Sequence, residues 1–456
     1  MKAEFIVIGS GQAGVPLAAR LAEAGRQVVI VEAGQLGGSC VNVGCTPTKT
    51  MVASARAAHV ARSAARLGVH TGKVKVDLAA IVDRKDTIVQ QWRSGVGRRL
   101  ERAGERLKLI RGHARFVGER EIEVNGERHS AETVIVNVGA RPRVPPVTGL
   151  DRVDWLDSSS IMEVRELPPH LVIMGGGYIA CEFGQMFRRF GSEVTIMQRG
   201  EHLLAREDTE ISEAIVEVFR DEGIEVVLNA EVMEVEEANG EVVVRCGGGQ
   251  ETRGSHLLVA VGRVPNTDDL GVDAVGIELD ERGFIRVDNE YRTSAAGVYA
   301  VGDCTGGPQF THTAWDDHRI LYDLLMGKGK RGRDGRIAPH TVFTDPQVAR
   351  AGLSEREAIA QGIEYEVAKM PFGHIARAIE MDERAGIMKV LVDPKTERIL
   401  GAAIVGYEGG ELIHTFLMLM QAGASARTMV DAQMVHPALA EGLQTMVMKL
   451  DRFALA

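Results

Sequence analysis

The stretch Phe5-Ile6-Val7-Ile8-Gly9-Ser10-Gly11-Gln12-Ala13-Gly14, near the beginning of the chain, decides the fold. Its apolar run predicts a strand, the glycines follow with GxGxxG spacing, and the alanine-rich segment behind them predicts a helix. Such glycines let the backbone approach a pyrophosphate at the helix N-terminus, where unpaired N–H groups and the helix dipole favour anions. GxGxxG alone is a weak signal, but a strand before it and a helix after it are the context that a dinucleotide site requires.

A second copy of the pattern lies further along the chain. The apolar run Leu171–Met174 is followed by Gly175-Gly176-Gly177-Tyr178-Ile179-Ala180. Each copy is closed by a similar apolar segment, namely Val134–Pro142 in the first and Leu257–Pro265 in the second. The repeat predicts two dinucleotide-binding units in one chain.

The two copies differ in length. Gly9 and Gly139 are 130 residues apart, whereas Gly175 and Gly262 are 87 apart, so the first copy carries an insertion of about 43 residues. Apolar residues recur there at helical spacing, and we expect helical structure from Thr50 to about Arg111.

The copies also differ where nucleotide identity is decided. The second strand of the first copy ends at Glu32, a carboxylate 18 residues past Gly14, where it is placed to bind a ribose diol. The matching strand of the second copy ends Met197-Gln198-Arg199, with Arg206 close behind. Arginine offers several fixed donors to a 2′-phosphate. The alternative is that these arginines are ordinary solvated surface residues.

Composition limits the classes of function. The 456 residues suggest roughly three domains, and 45% hydrophobic with 25% charged residues is ordinary for a globular protein. A net charge of −10 argues against a nucleic-acid partner. No apolar run approaches the ~18 residues of a membrane helix, and the strand starting at Glu4 leaves no room for a signal peptide. We therefore expect a cytoplasmic protein without membrane attachment.

Two of the five cysteines lie in Gly37-Gly38-Ser39-Cys40-Val41-Asn42-Val43-Gly44-Cys45-Thr46-Pro47-Thr48-Lys49. On a regular helix their Cα atoms would be roughly 8.6 Å apart, whereas a disulfide needs about 4.4–6.8 Å. A bridge therefore requires an irregular first turn, which Gly44 and Pro47 suit. A thiol at a helix N-terminus is biased toward the reactive thiolate. The alternative is two unrelated buried cysteines.

The segment GGSCVNVGCTPTK closely resembles the redox-active disulfide motif of the flavin-dependent pyridine nucleotide–disulfide oxidoreductases. The resemblance implies that Cys45 faces the flavin and that Cys40 exchanges with substrate. It implies that Lys49 lies beside the flavin N5 and that Glu182 is its ion-pair partner. Tyr178 matches the aromatic gate of the nicotinamide pocket, although simple packing would also explain it. Hydride is then expected to pass from a nicotinamide to the flavin, and electrons onward to the disulfide.

With this resemblance, the first copy is interpreted as the FAD site and the second as an NADPH site. In Gly297–Cys304 the family resemblance assigns Asp303 to the ribityl chain. The expected FAD contacts are Gly9, Gly11, Gly14, Glu32, Gly38, Ser39, Lys49, Ala114, Gly139, Asp303, Thr311 and His312. The expected NADPH contacts are Gly175, Gly177, Ile179, Glu182, Arg199, Arg206, Val232 and Gly262.

A histidine motif lies near the end of the sequence. Met434-Val435-His436-Pro437-Ala438-Leu439-Ala440-Glu441 resembles the family's H-P-T-x-x-E, in which the histidine takes the thiol proton and the glutamate orients it. A lone histidine is more often structural. In the family this histidine comes from the other subunit, so the resemblance implies a homodimer. Ala438 stands where threonine is usual and Met434 where a histidine is common.

From about Thr341 the composition changes. Short strands at Gly386–Asp393 and Arg398–Gly406 and an amphipathic helix at Gly410–Ala422 predict an α+β unit that packs on a partner subunit. The Met-rich run Phe416–Met420 is typical of a core or an interface rather than a metal site, and we expect no resident metal.

The predicted fold is α/β, with two Rossmann-like dinucleotide-binding domains and a C-terminal α+β dimerisation domain. The expected segments are 1–150 for the FAD-binding domain with the redox disulfide, 151–267 for the NAD(P)H-binding domain, 268–338 for the FAD domain continued, and 339–456 for the dimerisation domain.

Three segments bear on the group within the family. Glu207–Ile211 resembles mercuric reductase, and Gln309–Ile320 resembles the mercuric-reductase-like group that includes reactive-chlorine-resistance flavoproteins. The segment Lys449–Ala456 has no cysteine pair of the kind that delivers mercury. We expect an NADPH-dependent reductase of a small disulfide, a metal ion or another soft oxidant. The alternatives are dihydrolipoamide dehydrogenase and, in a different class, a flavin-bearing redox sensor with little turnover.

Overall fold

The computed structural model describes residues 2–327, 329 and 331–453. They form two compact units. The first comprises Met1–Thr50, Ala80–Arg143 and Gly262–Arg336, and the second comprises Met51–Ala79, Val144–Val261 and Ile337–Ala456. The four segments expected from the sequence stay a prediction.

The strands are β1 Lys2–Ile8, β2 Val28–Glu32, β3 Leu107–Arg111, β4 Ala114–Gly118, β5 Glu121–Val124, β6 Glu127–Val136, β7 Ala140–Pro142, β8 Trp155–Leu156, β9 His170–Met174, β10 Glu193–Met197, β11 Glu225–Val227, β12 Val232–Ala238, β13 Glu241–Cys246, β14 Glu251–Gly254, β15 His256–Val259, β16 Arg263–Pro265, β17 Val298–Ala300, β18 His340–Val342, β19 Gln347–Gly352, β20 Glu366–Pro371, β21 Ile387–Val392 and β22 Ile399–Gly406.

The α-helices are α1 Gly14–Glu23, α2 Gly38–Asn42, α3 Cys45–Ser63, α4 Leu78–Arg102, α5 Tyr178–Phe190, α6 Thr209–Asp221, α7 Thr311–Leu325, α8 Glu355–Ala360, α9 Ala376–Met381, α10 Gly409–Ala422, α11 Ala426–Val430 and α12 Glu441–Val447.

The first unit is built on a sheet with strand order β3-β2-β1-β6-β5-β4, and β17 also pairs with β6. β1 runs parallel to β2 and β6, so the glycine turn after β1 lies at the carboxyl edge of the parallel part. One apolar core lies around Phe116 and Val134, and another around Leu17 and Ile30. Apolar layers on a parallel sheet are what a doubly wound domain requires.

The prediction of helix up to Arg111 was wrong at its end. α4 stops at Arg102, and Leu107–Arg111 is a strand parallel to β2, with Val28 opposite Leu107 and Glu32 opposite Arg111. Three apolar residues in so short a segment do not separate helical from extended periodicity. The open edge of β2 offers backbone hydrogen bonds that a last helical turn would leave unused.

The second unit contains a parallel sheet with order β11-β10-β9-β15-β8. Its first four strands correspond to β3-β2-β1-β6 of the first unit, and β8 takes the position of β17 beside the fourth strand, although it precedes β9 in the chain. An antiparallel sheet, β12-β13-β14, accompanies it, as β4 and β5 accompany β6 in the first unit. The repeat predicted from the two glycine motifs is confirmed at the level of topology.

The C-terminal part of the second unit is α+β. Its sheet has the order β18-β19-β22-β21-β20 with antiparallel pairing throughout. β21, β22 and α10 fall where the sequence predicted two strands and a helix. Phe372, Phe416 and Leu443 are in its apolar core. Of the helices in the described part of the chain, none combines the length and apolar character needed to cross a bilayer.

Candidate active site

The glycine turn after β1 is built for close approach of a ligand. A Cβ atom at Gly9 would lie 2.3 Å from the carbonyl oxygen of Asn137, and one at Gly14 would lie 2.1 Å from the carbonyl oxygen of Gly9. Gly9 also has φ +102, which side chains other than glycine rarely adopt. The turn leads into α1, whose dipole places partial positive charge at this end of the helix. These features fit a pyrophosphate at the helix N-terminus.

Glu32 stands at the end of β2 in a preorganised setting. Its Oε2 accepts hydrogen bonds from the Ser10 backbone N (2.8 Å) and hydroxyl (2.6 Å), and its Oε1 accepts one from the Gly34 N (2.7 Å). The carboxylate is thereby held beside the glycine turn, with lone pairs left for the hydroxyls of a ribose.

The cysteine segment is a broken helix, with an irregular turn at Gly44 of the kind that a bridge between the two cysteines requires. α2 ends at Asn42, the backbone leaves helical geometry at Val43, and α3 begins at Cys45. A Cβ atom at Gly44 would lie 2.8 Å from the Ser39 carbonyl oxygen, so the break is too tight for a larger residue. Cys45 is therefore the first residue of a helix of 19 residues, where the dipole favours a thiolate.

Cys40 and Cys45 are free cysteines in this structure, with no disulfide between them. Hydrogen bonding to Cys45 and burial raise the pKa of the Cys40 thiol. The Cys45 sulfur also lies 3.3 Å from the Thr311 hydroxyl. The start of α7 therefore lies beside the Cys45 thiol.

Lys49 lies one helical turn after Cys45 on α3. Thr311 begins α7, and the exposed ring of His312 stacks on Phe310 with centroids 5.3 Å apart. The other sequence-predicted FAD residues of this unit are Gly38 and Ser39 in α2, Ala114 at the start of β4, and Gly139 between β6 and β7. The structure thus brings Cys40, Cys45 and Thr311 together.

Asp303 lies in a short 3-10 turn after β17 and is largely buried. Burial raises the pKa of its carboxyl group, against the opposing effect of Arg263 at 3.9 Å. The Arg263 Nε atom is buried and has no hydrogen-bond partner among the described residues. A ligand with several hydroxyl groups and a phosphate would satisfy both side chains, so this part of the chain fits FAD.

The sequence did not reveal that Asp317 supports the 3-10 turn that carries Asp303. Asp317, which is buried, accepts hydrogen bonds from the Gly302 N (2.8 Å), the Tyr291 hydroxyl (2.7 Å) and Arg336 (2.7 Å). It therefore fixes the backbone from which Asp303 projects. The only available signal was its position in the stretch from Gln309 to Ile320, and nothing there singles out its partners.

The glycine turn of the second unit repeats the close fit of the first. A Cβ atom at Gly175 would lie 2.4 Å from the Ala260 carbonyl oxygen. Gly177 precedes α5, and Tyr178 and Ile179 form its first turn. The remaining predicted NADPH residues are Val232 at the start of β12 and Gly262 between β15 and β16.

Glu182 is buried one turn into α5, with 4% of its surface exposed. Its Oε1 accepts a hydrogen bond from the Phe343 N at 2.8 Å. One turn further, Gln185 donates to the Asp345 carbonyl and accepts from its N–H, each at 2.7 Å. The segment from Phe343 to Asp345 is thereby pinned to α5 and holds the Glu182 carboxylate in one place.

The side chains of Arg199 and Arg206 are exposed, and neither forms an ion pair with another described residue. Each follows β10 on the segment leading to α6. Guanidinium groups without a carboxylate partner are available for an anionic ligand.

His436 and Glu441 form a pair in the second unit. The His436 Nδ1 atom lies 3.0 and 3.1 Å from the two carboxylate oxygens of Glu441, which also accepts from the Ala438 N at 3.3 Å. The carboxylate holds the ring in the tautomer with a proton on Nδ1, and Nε2 is then the proton-accepting atom. The histidine side chain is 71% exposed, so Nε2 is open to a reaction partner.

Known proteins resemble this chain over most of its length. A family model described as pyridine nucleotide-disulphide oxidoreductase matches residues 3–317, and that family's dimerisation domain matches residues 338–447. A mercuric reductase of Staphylococcus aureus is 34% identical over 454 residues, which is 98% of this chain and 82% of that protein. A dihydrolipoyl dehydrogenase of Thermus scotoductus is 35% identical over 459 residues, which is 99% of this chain and 98% of that protein.

A third relative is a probable pyridine nucleotide-disulfide oxidoreductase of Escherichia coli, RclA, at 36% identity over 97% of this chain and 98% of its own length. A solved structure of RclA, described as the Cu(II) complex of an HOCl-induced flavoprotein disulfide reductase, matches with a TM-score of 0.90 and 34% identity. The match covers 98% of this chain and 99% of that one.

Proposed function

The chain belongs to the pyridine nucleotide–disulphide oxidoreductases, which use FAD and NAD(P)H, and from that premise we propose its specific reaction. It oxidises NADPH and passes the electron pair through FAD and Cys40–Cys45 to a small disulfide, a metal ion such as mercuric or cupric ion, or another soft oxidant. The single observation that supports this most is the placement of Cys40 and Cys45 on either side of the break between α2 and α3.

FAD, when bound, supplies an acceptor for hydride and a donor of electrons to the disulfide. The glycine turn and α1 would bind its pyrophosphate, Glu32 would bind the adenosine ribose, and Asp303 would bind the ribityl hydroxyls. The family resemblance implies that Lys49 would serve the flavin ring, with Glu182 as its ion-pair partner. Asp317 and the segment from Phe343 to Asp345 hold two of these carboxylates in position.

Cys40 and Cys45 have different roles in the proposed reaction. When the pair is reduced, Cys45 carries the charge and Cys40 exchanges with the oxidant. For a disulfide substrate, the Cys40 sulfur attacks one sulfur, the substrate S–S bond breaks, and the leaving thiolate takes a proton. Attack by Cys45 on the mixed disulfide then restores Cys40–Cys45 and releases the second thiol. The net change is one NADPH and one proton consumed for two substrate thiols formed.

His436 supplies the proton handling. Its Nε2 accepts the Cys40 proton and returns it to the leaving thiolate, while Glu441 stabilises the imidazolium through Nδ1. We propose that the histidine serves the partner subunit's thiols in a homodimer. The exposed apolar side chains of Met418 (57%) and Val435 (77%) on the dimerisation domain support that assembly.

NADPH is proposed as the preferred reductant because Arg199 and Arg206 are exposed and without carboxylate partners among the described residues. We place the protein in the cytoplasm, because a chain with so few cysteines and a catalytic thiol pair is typical of a reducing compartment.

A second candidate is dihydrolipoamide dehydrogenase, which is favoured by the relative from Thermus scotoductus. Arg199, at a strand end where an NAD site has an acidic residue, counts against it. A redox sensor with little turnover is the candidate of a different class. The joint presence of Cys40, Cys45 and the His436–Glu441 pair favours an enzyme.

The test is a panel of oxidants assayed with NADPH and with NADH, using the purified FAD-bound protein. Lipoamide, glutathione disulfide, mercuric, cupric and selenite ions and quinones are compared for wild type and for Cys40→Ser. We expect NADPH-dependent turnover of at least one disulfide or metal ion that the variant loses. NADH-dependent turnover of lipoamide alone would establish the second candidate, and no turnover with any oxidant would favour the sensor.

A further inference from the structure

The segment between β10 and α6, Arg199–Glu207, carries both exposed arginines, and we call it the cofactor loop. Its middle is packed on the second glycine turn, because the Leu204 N donates to the Gly176 carbonyl at 2.7 Å and Leu203 is fully buried. Leu204 has φ +48, a left-handed conformation that is strained for a leucine. Such a conformation persists only where surrounding contacts hold it.

The first of these contacts is at the end of the loop, on the residue directly after Arg206. Glu207 is buried, its Oε1 lies 2.8 Å from the His340 Nε2, and its Oε2 lies 3.2 Å from the Arg350 Nε. His340 begins β18 and Arg350 is on β19. Two strands of the dimerisation-domain sheet therefore hold the backbone next to Arg206.

The second contact involves Asp208, the residue that precedes α6. An aspartate in this position usually caps its own helix, but the Asp208 side chain forms no such hydrogen bond. It accepts instead from the backbone N–H groups of Glu355 (3.0 Å) and Arg356 (3.1 Å) at the start of α8, and from the Lys389 ammonium (2.7 Å). The Asp208 carboxylate thus attaches the end of the cofactor loop to α8 and to Lys389 of β21, instead of capping α6.

Lys389 lies on β21 with only 1% of its side chain exposed. Its ammonium group also contacts Glu210 (2.7 Å) and Glu355. Burial alone would lower the pKa of Lys389, but the hydrogen bonds to Asp208, Glu210 and Glu355 raise it above its usual value. The lysine is therefore charged, and it is the buried centre of an ionic cluster that includes both acidic residues flanking Thr209.

We propose that Lys389 is a positioning residue for recognition of the NADPH 2′-phosphate. Through Asp208 and Glu210 it fixes the end of the cofactor loop, and His340 and Arg350 do so through Glu207. Together these contacts set where Arg206 lies, at the end of the loop that begins with Arg199. The inference rests on the proposed function, since it takes the arginines to bind that phosphate. It assigns part of the cofactor specificity to the dimerisation domain, far from the nucleotide motif in the sequence.

The experiment isolates the 2′-phosphate from the rest of the cofactor. Binding of 2′,5′-ADP and of 5′-AMP to the FAD-bound protein is measured by calorimetry for wild type, Lys389→Met and Lys389→Arg. Lys369→Met is the matched control, because Lys369 contacts Glu210 (2.6 Å) and Glu355 (3.4 Å) but has a 41% exposed side chain. We expect Lys389→Met to weaken 2′,5′-ADP binding about tenfold, the lower end of the effect of losing one charge-assisted hydrogen bond. Binding of 5′-AMP stays within about twofold, Lys389→Arg recovers most of the loss, and Lys369→Met changes little.

Equal losses for both nucleotides, or no loss, in Lys389→Met would overturn the positioning role. If that variant does not fold with FAD, Glu207→Gln tests the same loop through its other contact, with an expected loss of about threefold for 2′,5′-ADP only. No selective loss there would also overturn the role. A wild-type protein that binds 2′,5′-ADP no better than 5′-AMP would overturn the NADPH assignment itself, which separates the two failures.

Discussion

The two dinucleotide-binding repeats share one sheet topology and differ at the end of the second strand. In the first, the Glu32 carboxylate is held by three donors from Ser10 and Gly34. In the second, Gln198 and Arg199 follow β10, and the exposed Arg199 has no carboxylate partner among the described residues. The same backbone thus presents a fixed carboxylate in one copy and available cations in the other.

The second difference is what each copy contains between its strands. The first carries the cysteine segment after β2, whereas the second carries the cofactor loop after β10. On our account, the first copy retains its nucleotide and performs the chemistry, while the second binds and releases the reductant. The comparison teaches that the fold supplies the phosphate site twice and that a few side chains at one strand end decide the role of each site.

The largest expected effect is loss of a thiol from the first copy. Cys40→Ser and Cys45→Ser should each lower disulfide reduction by about four to six decades, the range for losing a nucleophile. Cys45→Ser should also abolish the long-wavelength absorption of the two-electron-reduced protein, whereas Cys40→Ser should keep or strengthen it. Cys246→Ala, a buried cysteine of β13, is the control. The opposite spectral behaviour of the two serine variants would show that their roles are reversed.

His436→Ala tests a residue outside both dinucleotide-binding repeats, because the proposed proton acceptor lies in the dimerisation domain. We expect disulfide reduction to slow by about two to four decades, the usual contribution of a general base. Reduction of the protein by NADPH in a stopped-flow instrument should remain nearly normal. Glu441→Gln, which keeps a partner for Nδ1 but not its charge, should have a smaller effect.

If His436 acts across the interface of a homodimer, two inactive variants should complement each other. Mixed dimers of Cys40→Ser and His436→Ala contain one site with both lesions and one with neither, so they should regain part of the activity. Absence of recovery, with subunit exchange verified independently, would place the histidine within its own chain or outside the reaction.

Arg199→Glu should make the second copy resemble the first, because it places a carboxylate after the second strand of that copy. A charge-assisted hydrogen bond contributes about 1.5–3 kcal/mol, so the preference for NADPH over NADH in kcat/KM should fall by roughly one to two decades. If the wild-type protein has equal kcat/KM for NADPH and NADH, and Arg199→Glu does not change that ratio, Arg199 does not make the second copy a site for the 2′-phosphate.

The smallest effect is expected at Glu32, where other contacts also hold FAD. Glu32→Gln keeps the shape of the side chain but loses a charge-assisted acceptor, and the dissociation constant of FAD should rise by about three- to tenfold. Glu23→Gln, on the exposed side of α1, is the control. Unaltered FAD retention in Glu32→Gln would mean that the strand-end carboxylate does not contribute to the first site.

Local patterns allowed much of this molecule to be predicted. The glycine turns, the helix break at Gly44 and the elements β21, β22 and α10 each depend on residues close together in the sequence. The strand Leu107–Arg111 was missed because its conformation is decided by the edge of β2. The pairing of Asp208 with Lys389 could not be read from the sequence, because 181 residues separate them and each alone is typical of a solvated surface.

The most direct test of the central claim is an anaerobic titration of the FAD-bound protein with NADPH, followed in the visible spectrum. Two redox centres in one subunit predict two equivalents of NADPH for full reduction, with the long-wavelength band appearing after the first. Cys45→Ser should take up only one equivalent and show no such band. Uptake of a single equivalent by the wild-type protein, with the same spectrum as Cys45→Ser, would contradict electron transfer from the flavin to Cys40–Cys45.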